Sequence, residues 1–268
     1  MPSSKSEETS HQVVPFPSAR ALIRDIGSLA KNRNTIRGLL EYDVTLPRRL
    51  IRQHQAQSGE RLSFTAYLAA CLGRAVARNK YLHAYRDWRN RLVLFDDVDV
   101  SMMVEIEQDG KKIPIGHIVR AANRKTVQAI HAEIRAAQEK PLQDQEANQM
   151  YLFRVLPGFL RRLLLRLVDR SPALVKRYKG TVILSAVGMF GRGGGWGLSL
   201  PSHTLGVTVG GIEQKPGIVD GRFEAREYLN VTLDFDHDIV DGAPAARFAQ
   251  RLRELVECGY GLPNGQPS

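Results

Sequence analysis

The stretch DFDHDIVDGAPAARF, residues 234–248, joins a strand-like pattern to a helix-like pattern and decides how the fold is interpreted. Before it, apolar and polar residues alternate with the period of two that is typical of a β-strand. The apolar members are Leu229, Val231, Leu233 and Phe235. Continued to its end, this alternation predicts that His237 lies on the apolar face. Gly242 then permits a turn, and a helical pattern follows.

A histidine in such a position is able to act as a base. Burial disfavours the charged imidazole, so a neutral His237 would accept a proton from a bound substrate. Asp241 follows one short loop later. Taken alone, the spacing H-x-x-x-D-G is equally typical of a structural histidine beside a turn, and both interpretations stay open at this point. A zinc site is not expected, because His237 has no His or Cys partner at ligand spacing.

Composition describes an ordinary globular chain with an excess of positive charge. Its 268 residues are 43% hydrophobic and 25% charged, with a formal net charge of +10. This charge favours an anionic partner: nucleic acid, an acidic membrane face or a phosphorylated cofactor. Nucleic acid is not expected, because no recognised binding motif occurs and aromatic residues are only 7%. Cys71 and Cys258 are too few for a disulfide framework, which favours a reducing, cytoplasmic location.

Strand and helix patterns mix along the whole chain, with no internal repeat and no long linker. This organisation predicts one α/β domain over residues 15–262. Residues 1–14 are polar, lack the apolar core of a signal peptide and are predicted to be a disordered tail; residues 263–268 form a C-terminal tail. Ser63 is expected to cap one helix, and Gly59 to end the one before it.

A basic amphipathic segment is predicted over residues 141–180. From residue 150 onwards it carries eight Arg or Lys residues against Asp169 alone, and its leucines share one helix face. One interpretation is a surface helix that covers the core with its leucines. The other is a helix that docks on an anionic membrane or an acidic partner. The segment is too short and too charged to span a bilayer.

The stretch 234–248 resembles the C-terminal signature of the 2-oxo-acid dehydrogenase acyltransferases, the E2 catalytic domains. In that family a strand ends in D-H-x-x-x-D-G-A and a helix opens with A-A-R-F, as from Asp236 onwards here. LSAVGMFG, residues 184–191, is similar to the family's S-x-x-G-x-x-G segment. The resemblance runs from about Ser18 to Glu257. It implies an α/β fold, the two-layer α+β sandwich with a mixed sheet of chloramphenicol acetyltransferase, with residues 141–180 as an insertion.

The resemblance also implies the roles of three residues. His237 would be the general base that deprotonates a thiol, whose pKa in water is about 8.5. The thiolate then attacks a thioester, and the acyl group moves between coenzyme A and a second thiol. Ser185 would donate to the oxyanion, although a serine that ends a buried strand is also able to bond simply to the backbone. Asp241 would hold the site together through a buried ion pair with an arginine.

The family further implies a homotrimer in which one subunit gives the histidine and its neighbour gives the serine. No lipoyl domain is found in this sequence, so a lipoyl group would come in trans from another protein, or the acceptor differs. Asp238 stands where the family usually has arginine. Its carboxylate would either make His237 a stronger base or steer a charged substrate, or it would form a surface ion pair and do neither. The glycine-rich GMFGRGGGWG is expected to be a mobile loop at the mouth of the site.

Three functions follow from these observations. The first is a stand-alone acyltransferase that uses acyl-CoA, with His237 and Ser185 in the chemistry. The second is a non-catalytic scaffold or assembly subunit that keeps the fold. The third is a protein peripheral to a membrane, bound to anionic lipid through its basic segment.

Overall fold

The structure, a computed structural model, describes residues 11–16, 19–31, 33–108, 110–139, 156–186, 188 and 193–265. The strands in these residues are β1 (Thr35–Asp43), β2 (Tyr85–Arg86), β3 (Leu92–Val93), β4 (Val100–Gln108), β5 (Lys111–Val119), β6 (Val182–Ala186), β7 (Leu205–Val219) and β8 (Arg222–Asp236). The α-helices are α1 (Ala19–Ala30), α2 (Thr45–Ser58), α3 (Phe64–Val76), α4 (Val127–Glu139), α5 (Gly158–Arg170), α6 (Pro172–Lys179) and α7 (Gly242–Glu257). The predicted strand that precedes His237 and the helix that follows it are thereby confirmed as β8 and α7.

Six strands form one mixed sheet in the order β1-β8-β7-β6-β4-β5. Strand β6 runs parallel to both of its neighbours, β4 and β7, whereas the other pairs are antiparallel. Strands β2 and β3 form a separate small ladder. A mixed sheet was predicted, and the structure confirms it.

Helices α3, α4 and α7 cover one face of the sheet and enclose the main core. Ile130 of α4, Leu255 of α7 and Leu233 of β8 are fully buried in one cluster with the apolar side of α3. The Tyr67 hydroxyl of α3 donates a hydrogen bond to the Leu255 carbonyl at 3.1 Å, which ties α3 to α7 in the interior. This packing forms the layer of helices on the layer of sheet.

The predicted helix boundaries around α2 and α3 are confirmed. Gly59 ends α2 in the left-handed conformation, with φ of 76°, and its N–H donates to the Gln55 carbonyl at 2.9 Å. The Ser63 side chain accepts from the Ala66 N–H at 3.3 Å and caps α3. Both signals are local, so the sequence alone carries them.

Strands β7 and β8 form a hairpin that extends beyond the sheet. β1 pairs with β8 only along residues 228–236, and β6 pairs with β7 only along residues 206–209. Among the described residues, the outer part of the hairpin therefore pairs only with itself, and Ile218 and Phe223 near its tip are exposed. Asp220 and Gly221 close it with positive φ angles, as a two-residue type I′ turn requires.

The described part of the predicted insertion, residues 156–180, forms α5 and α6. Helix α5 packs against α1 through Arg161, which is buried, whereas Leu163, Leu164 and Leu167 face solvent. The expectation that the leucines of this segment cover the core is therefore wrong for these three, whereas Leu160 and Val168 are half-buried. Residues 140–155, and residues 1–10 and 266–268 of the predicted tails, lie outside the described residues.

Candidate active site

His237 lies in the turn between β8 and α7. Strand β8 ends at Asp236, and the His237 backbone N–H donates to the Asn34 carbonyl at 2.6 Å, one step beyond the last pair of β1 and β8. The imidazole side chain is 45% exposed. The expectation that it is buried on the apolar face is therefore wrong for the single chain, because the strand alternation stops one residue earlier.

The acidic residues of the same strand are the buried ones. Asp234 accepts a hydrogen bond from Arg37, and Asp236 forms an ion pair with Arg33 at 2.9 Å. The Ser199 hydroxyl also donates to Asp234, at 3.3 Å. The alternation alone predicts that these acids lie on a polar, solvent-facing side of the strand. The two arginines and the segment that contains Ser199 cover that side and bury it.

Asp241 stands beside the imidazole. Its Oδ1 lies 3.8 Å from His237 Nδ1, and its side chain is 84% exposed. Within the described residues it has no arginine partner, so the expected buried ion pair is not formed in the single chain. This distance is longer than a hydrogen bond.

Asp238 makes surface contacts on the other side of the histidine. Its Oδ1 accepts from Asn34 Nδ2 at 2.9 Å, and its Oδ2 lies 3.8 Å from Arg86 Nη2. Of the two interpretations of this residue, the structure supports a surface pair. Asn34 therefore contacts both His237 and Asp238, through its backbone carbonyl and its side chain, and fixes the turn.

Ser185 lies on β6 and lines a cleft of 1420 Å³ between the sheet and helices α2, α3 and α4. Its side chain is half-buried, and within the described residues its hydroxyl has no hydrogen-bond partner. A serine that bonded to the backbone would have its hydroxyl occupied. Among the described residues, no group occupies the hydroxyl of Ser185 in this way.

The cleft is apolar on one side and basic on the other. Leu68, Met102 and Val209 line its wall, and Arg61 and Arg135 stand at its rim without carboxylate partners in the described part of the chain. Such a lining fits a ligand with a thin apolar arm and an anionic end.

Ser185 and His237 lie far apart in one chain. Ser185 is level with Thr208 on β7, which is level with Thr232 on β8. His237 follows Thr232 by five positions, which places it about 16 Å further along the strand direction. One chain therefore does not bring both side chains to one reacting carbonyl.

A glycine contact that the sequence analysis missed shapes the edge of this cleft. The Gly211 N–H donates to the Gly195 carbonyl at 2.9 Å, next to a bulge in β7. A Cβ on Gly210 would lie 2.0 Å from the Gly195 oxygen, and one on Gly211 would lie 2.0 Å from the Gly193 oxygen. Residues 193–197, a described part of the expected mobile loop GMFGRGGGWG, thus pack backbone to backbone against β7. The sequence signal for this contact was the pair of glycine runs at 193–195 and 210–211.

The described residues hold no group of three or more His, Cys, Asp or Glu residues that could bind a metal ion. Within the same residues, no helix combines the length and apolar character needed to cross a membrane.

In sequence and in fold, the chain is similar to a class of acyltransferases. The sequence model described as 2-oxoacid dehydrogenases acyltransferase (catalytic domain) matches residues 170–261, which contain Ser185, His237 and Asp241. The chain is 25% identical over 177 residues to the dihydrolipoyllysine-residue acetyltransferase component of the pyruvate dehydrogenase complex of Zymomonas mobilis. It is 31% identical over 78 residues to the human mitochondrial succinyltransferase component of the 2-oxoglutarate dehydrogenase complex.

Solved structures agree with these sequence matches. A probable dihydrolipoamide acetyltransferase from Listeria monocytogenes superposes with a TM-score of 0.66 at 19% identity, over 94% of this chain and 96% of that chain. A truncated 2-oxoacid dehydrogenase catalytic core from Thermoplasma acidophilum gives a TM-score of 0.66 at 21% identity, over 93% and 99%. The resemblance to the E2 catalytic domains and the predicted α/β fold with a mixed sheet are therefore confirmed.

The sequence overlap with the relatives is partial. The Zymomonas match covers 65% of this chain and 32% of that protein, and the human match covers 29% and 17%. The matched part corresponds to a catalytic domain and not to a whole complex component.

Proposed function

We propose that this chain transfers an acyl group between coenzyme A and a second thiol, such as that of dihydrolipoamide, or another acceptor. His237 takes the proton of the attacking thiol, and the thiolate adds to the thioester carbonyl. Ser185 donates a hydrogen bond to the oxyanion of the tetrahedral intermediate. When the intermediate collapses, the carbon–sulfur bond to the first carrier breaks and the imidazolium returns the proton to the departing thiolate.

The observation that carries this proposal is that the chain presents two incomplete halves of such a site. Ser185 offers an unoccupied hydroxyl inside a cleft, and His237 offers a half-exposed imidazole about 16 Å away along the sheet. A second copy that brings its cleft to the His237 turn would complete both halves. This supports an oligomer in which each site takes His237 from one subunit and Ser185 from its neighbour, and the resemblance to the E2 catalytic domains favours a homotrimer.

The cleft supports coenzyme A as the acyl carrier. Arg61 and Arg135 would bind its phosphates, and the apolar wall that contains Leu68 and Met102 would contact its pantetheine arm. A lipoyl group would be carried by another protein and enter from outside the chain. Asp241, whose carboxylate lies 3.8 Å from Nδ1 in the single chain, would hold the site together without contacting substrate.

The test is acceptor-dependent release of coenzyme A from a panel of short acyl-CoAs, with dihydrolipoamide and simple amines as acceptors. His237→Ala should abolish turnover, and Ser185→Ala should lower it by about a hundredfold because one oxyanion donor is lost. The matched controls are His117→Ala on β5 and Ser101→Ala on β4, which lie outside the site and should keep wild-type activity.

Mixed assemblies test the division of the site between subunits. His237→Ala and Ser185→Ala chains, co-expressed, should regain part of the activity that each lacks alone, because some interfaces then hold an intact histidine and an intact serine. Absence of both turnover and acyl-CoA binding would instead favour the alternative function, a non-catalytic scaffold subunit. Contact with an anionic membrane is a separate proposal that does not depend on acyl transfer.

A further inference from the structure

The outward surface of α5 and the adjoining part of α1 is apolar. Phe159, Leu163 and Leu167 are spaced by four residues and form one stripe along α5. The exposed fractions are 68% for Phe159, 49% for Leu163, 37% for Leu164, 51% for Leu167 and 53% for Ile23 of α1. These five residues are called the α1–α5 face below. Scattered exposed apolar residues are ordinary, whereas five on two packed helices form a patch that indicates a binding surface.

Buried ion pairs fix the orientation of this face. Asp25 of α1 is buried, and its carboxylate accepts a hydrogen bond from Arg161 Nε at 2.8 Å. Arg162 adds a second contact to Asp25 at 3.3 Å. Rotating α5 to bury its leucines would pull both arginines away from Asp25 and leave a buried carboxylate without them. The leucines are therefore held outward by the contact that docks the helix.

Positive charge borders the apolar stripe. Helices α1 and α5 carry six arginines and two aspartates. Both aspartates are already paired, Asp25 with Arg161 and Asp169 with Lys179. Arg166 and Arg170 are exposed and have no carboxylate partner in the described part of the chain. The α1–α5 face thus combines exposed leucine and phenylalanine with positive charge that the protein itself does not neutralise.

We propose that the α1–α5 face docks on an anionic lipid membrane, with Phe159, Leu163 and Leu167 inserted among the lipid headgroups. A 13-residue helix is about 20 Å long and would lie parallel to the membrane plane. Negative headgroups would complement Arg166 and Arg170 while the acyl boundary takes the leucines. Contact of the face with the same face of a second copy satisfies the leucines but sets arginine against arginine, which disfavours that arrangement.

The test is co-flotation of the full chain with vesicles of phosphatidylcholine alone and of phosphatidylcholine mixed with phosphatidylglycerol. Wild type should bind the anionic vesicles and lose binding as salt is raised. Leu163→Gln/Leu167→Gln should weaken binding by about tenfold or more, because the inserted apolar area is removed. Arg166→Gln/Arg170→Gln should weaken it too and flatten its salt dependence.

Matched controls separate insertion from general stickiness. Leu94→Gln/Ile218→Gln removes two exposed apolar side chains elsewhere and should bind as wild type does. Equal binding to neutral and anionic vesicles, or full binding by the Leu163/Leu167 variant, would overturn the proposal. The proposal would also be overturned if wild type bound no vesicles and Leu163→Gln/Leu167→Gln changed the oligomeric mass, since a second copy would then cover the face. Every variant alters exposed side chains, and unchanged thermal unfolding would verify that the fold is kept.

Discussion

Single buried histidines give this protein a pH dependence that is distinct from the chemistry of its exposed His237. His203 donates from Nε2 to the Lys179 carbonyl at 2.9 Å, and its Nδ1 accepts from the Ser202 hydroxyl at 2.7 Å. Burial, and then the positive charge of Lys179, lower the pKa of His203 to about 3. Burial likewise lowers the pKa of His83 to about 4. Both residues are neutral in the folded protein at any ordinary pH.

Acid should therefore lower the free energy of unfolding at pH values where His203 and His83 are still neutral in the folded protein. The unfolded chain takes up protons below the ordinary pKa of 6.5, and the folded chain does so only near the lowered pKa values. Stability is present above pH 6.5 and is lost as the pH falls, by about 2 kcal/mol per buried histidine at about pH 5. His203→Gln should lose correspondingly less between about pH 7.5 and about pH 5 in urea unfolding. His11→Gln, at an exposed position, is the control; an equal loss in wild type and His203→Gln would contradict the prediction.

The sequence predicts the positions of some residues of the candidate active site and misses the burial of others, for a physical reason. It places His237 at the end of a strand and Ser185 on another, because both follow from local patterns. It does not predict that Asp234 and Asp236 are buried, since this depends on Arg37 and Arg33, which are about two hundred positions away in the chain. The separation of the serine and the histidine likewise depends on strand order.

At the level of elements, the same contrast holds between boundaries and orientations. Gly59 and Ser63 mark helix ends through contacts with residues three or four positions away, and these were predicted. Helical period shows which leucines of α5 share a face, but not which face meets the protein. Asp25, distant in sequence, decides that through its pairing with Arg161.

The glycine contact between β7 and the segment 193–204 leads to a prediction at this scale. Gly211→Ala places a methyl group 2.0 Å from the Gly193 oxygen, and backbone on both sides leaves little room to adjust. The expected cost is about 1–3 kcal/mol in the free energy of unfolding. The displaced segment should also change tryptophan fluorescence, because the Trp196 indole donates to the Leu40 carbonyl at 3.1 Å.

The matched control is Gly116→Ala on β5, where an added Cβ meets no atom within 4 Å. It should leave both the fluorescence and the urea midpoint close to wild type. If Gly211→Ala also left them unchanged, the segment would be loosely held, as the sequence analysis expected.

At the level of the whole molecule, the proposed acyl transfer requires more than one copy. The chain has a mass of 30.0 kDa, so light scattering should give three times this value for the proposed trimer. Dilution that dissociates the assembly should lower the activity per chain, because the two halves of each site separate. A monomeric mass together with full acyl transfer would contradict the shared site.

The long hairpin of β7 and β8 has a consequence for crowded solutions. Its outer part leaves two strand edges open, and such edges invite further strands to add and build aggregates. Pro216 lacks an amide N–H, and charged side chains lie close by along both strands: Glu213, Lys215, Glu224 and Arg226. These features hinder the addition of a foreign strand, so the arm is able to reach outward from the sheet without seeding its own precipitation.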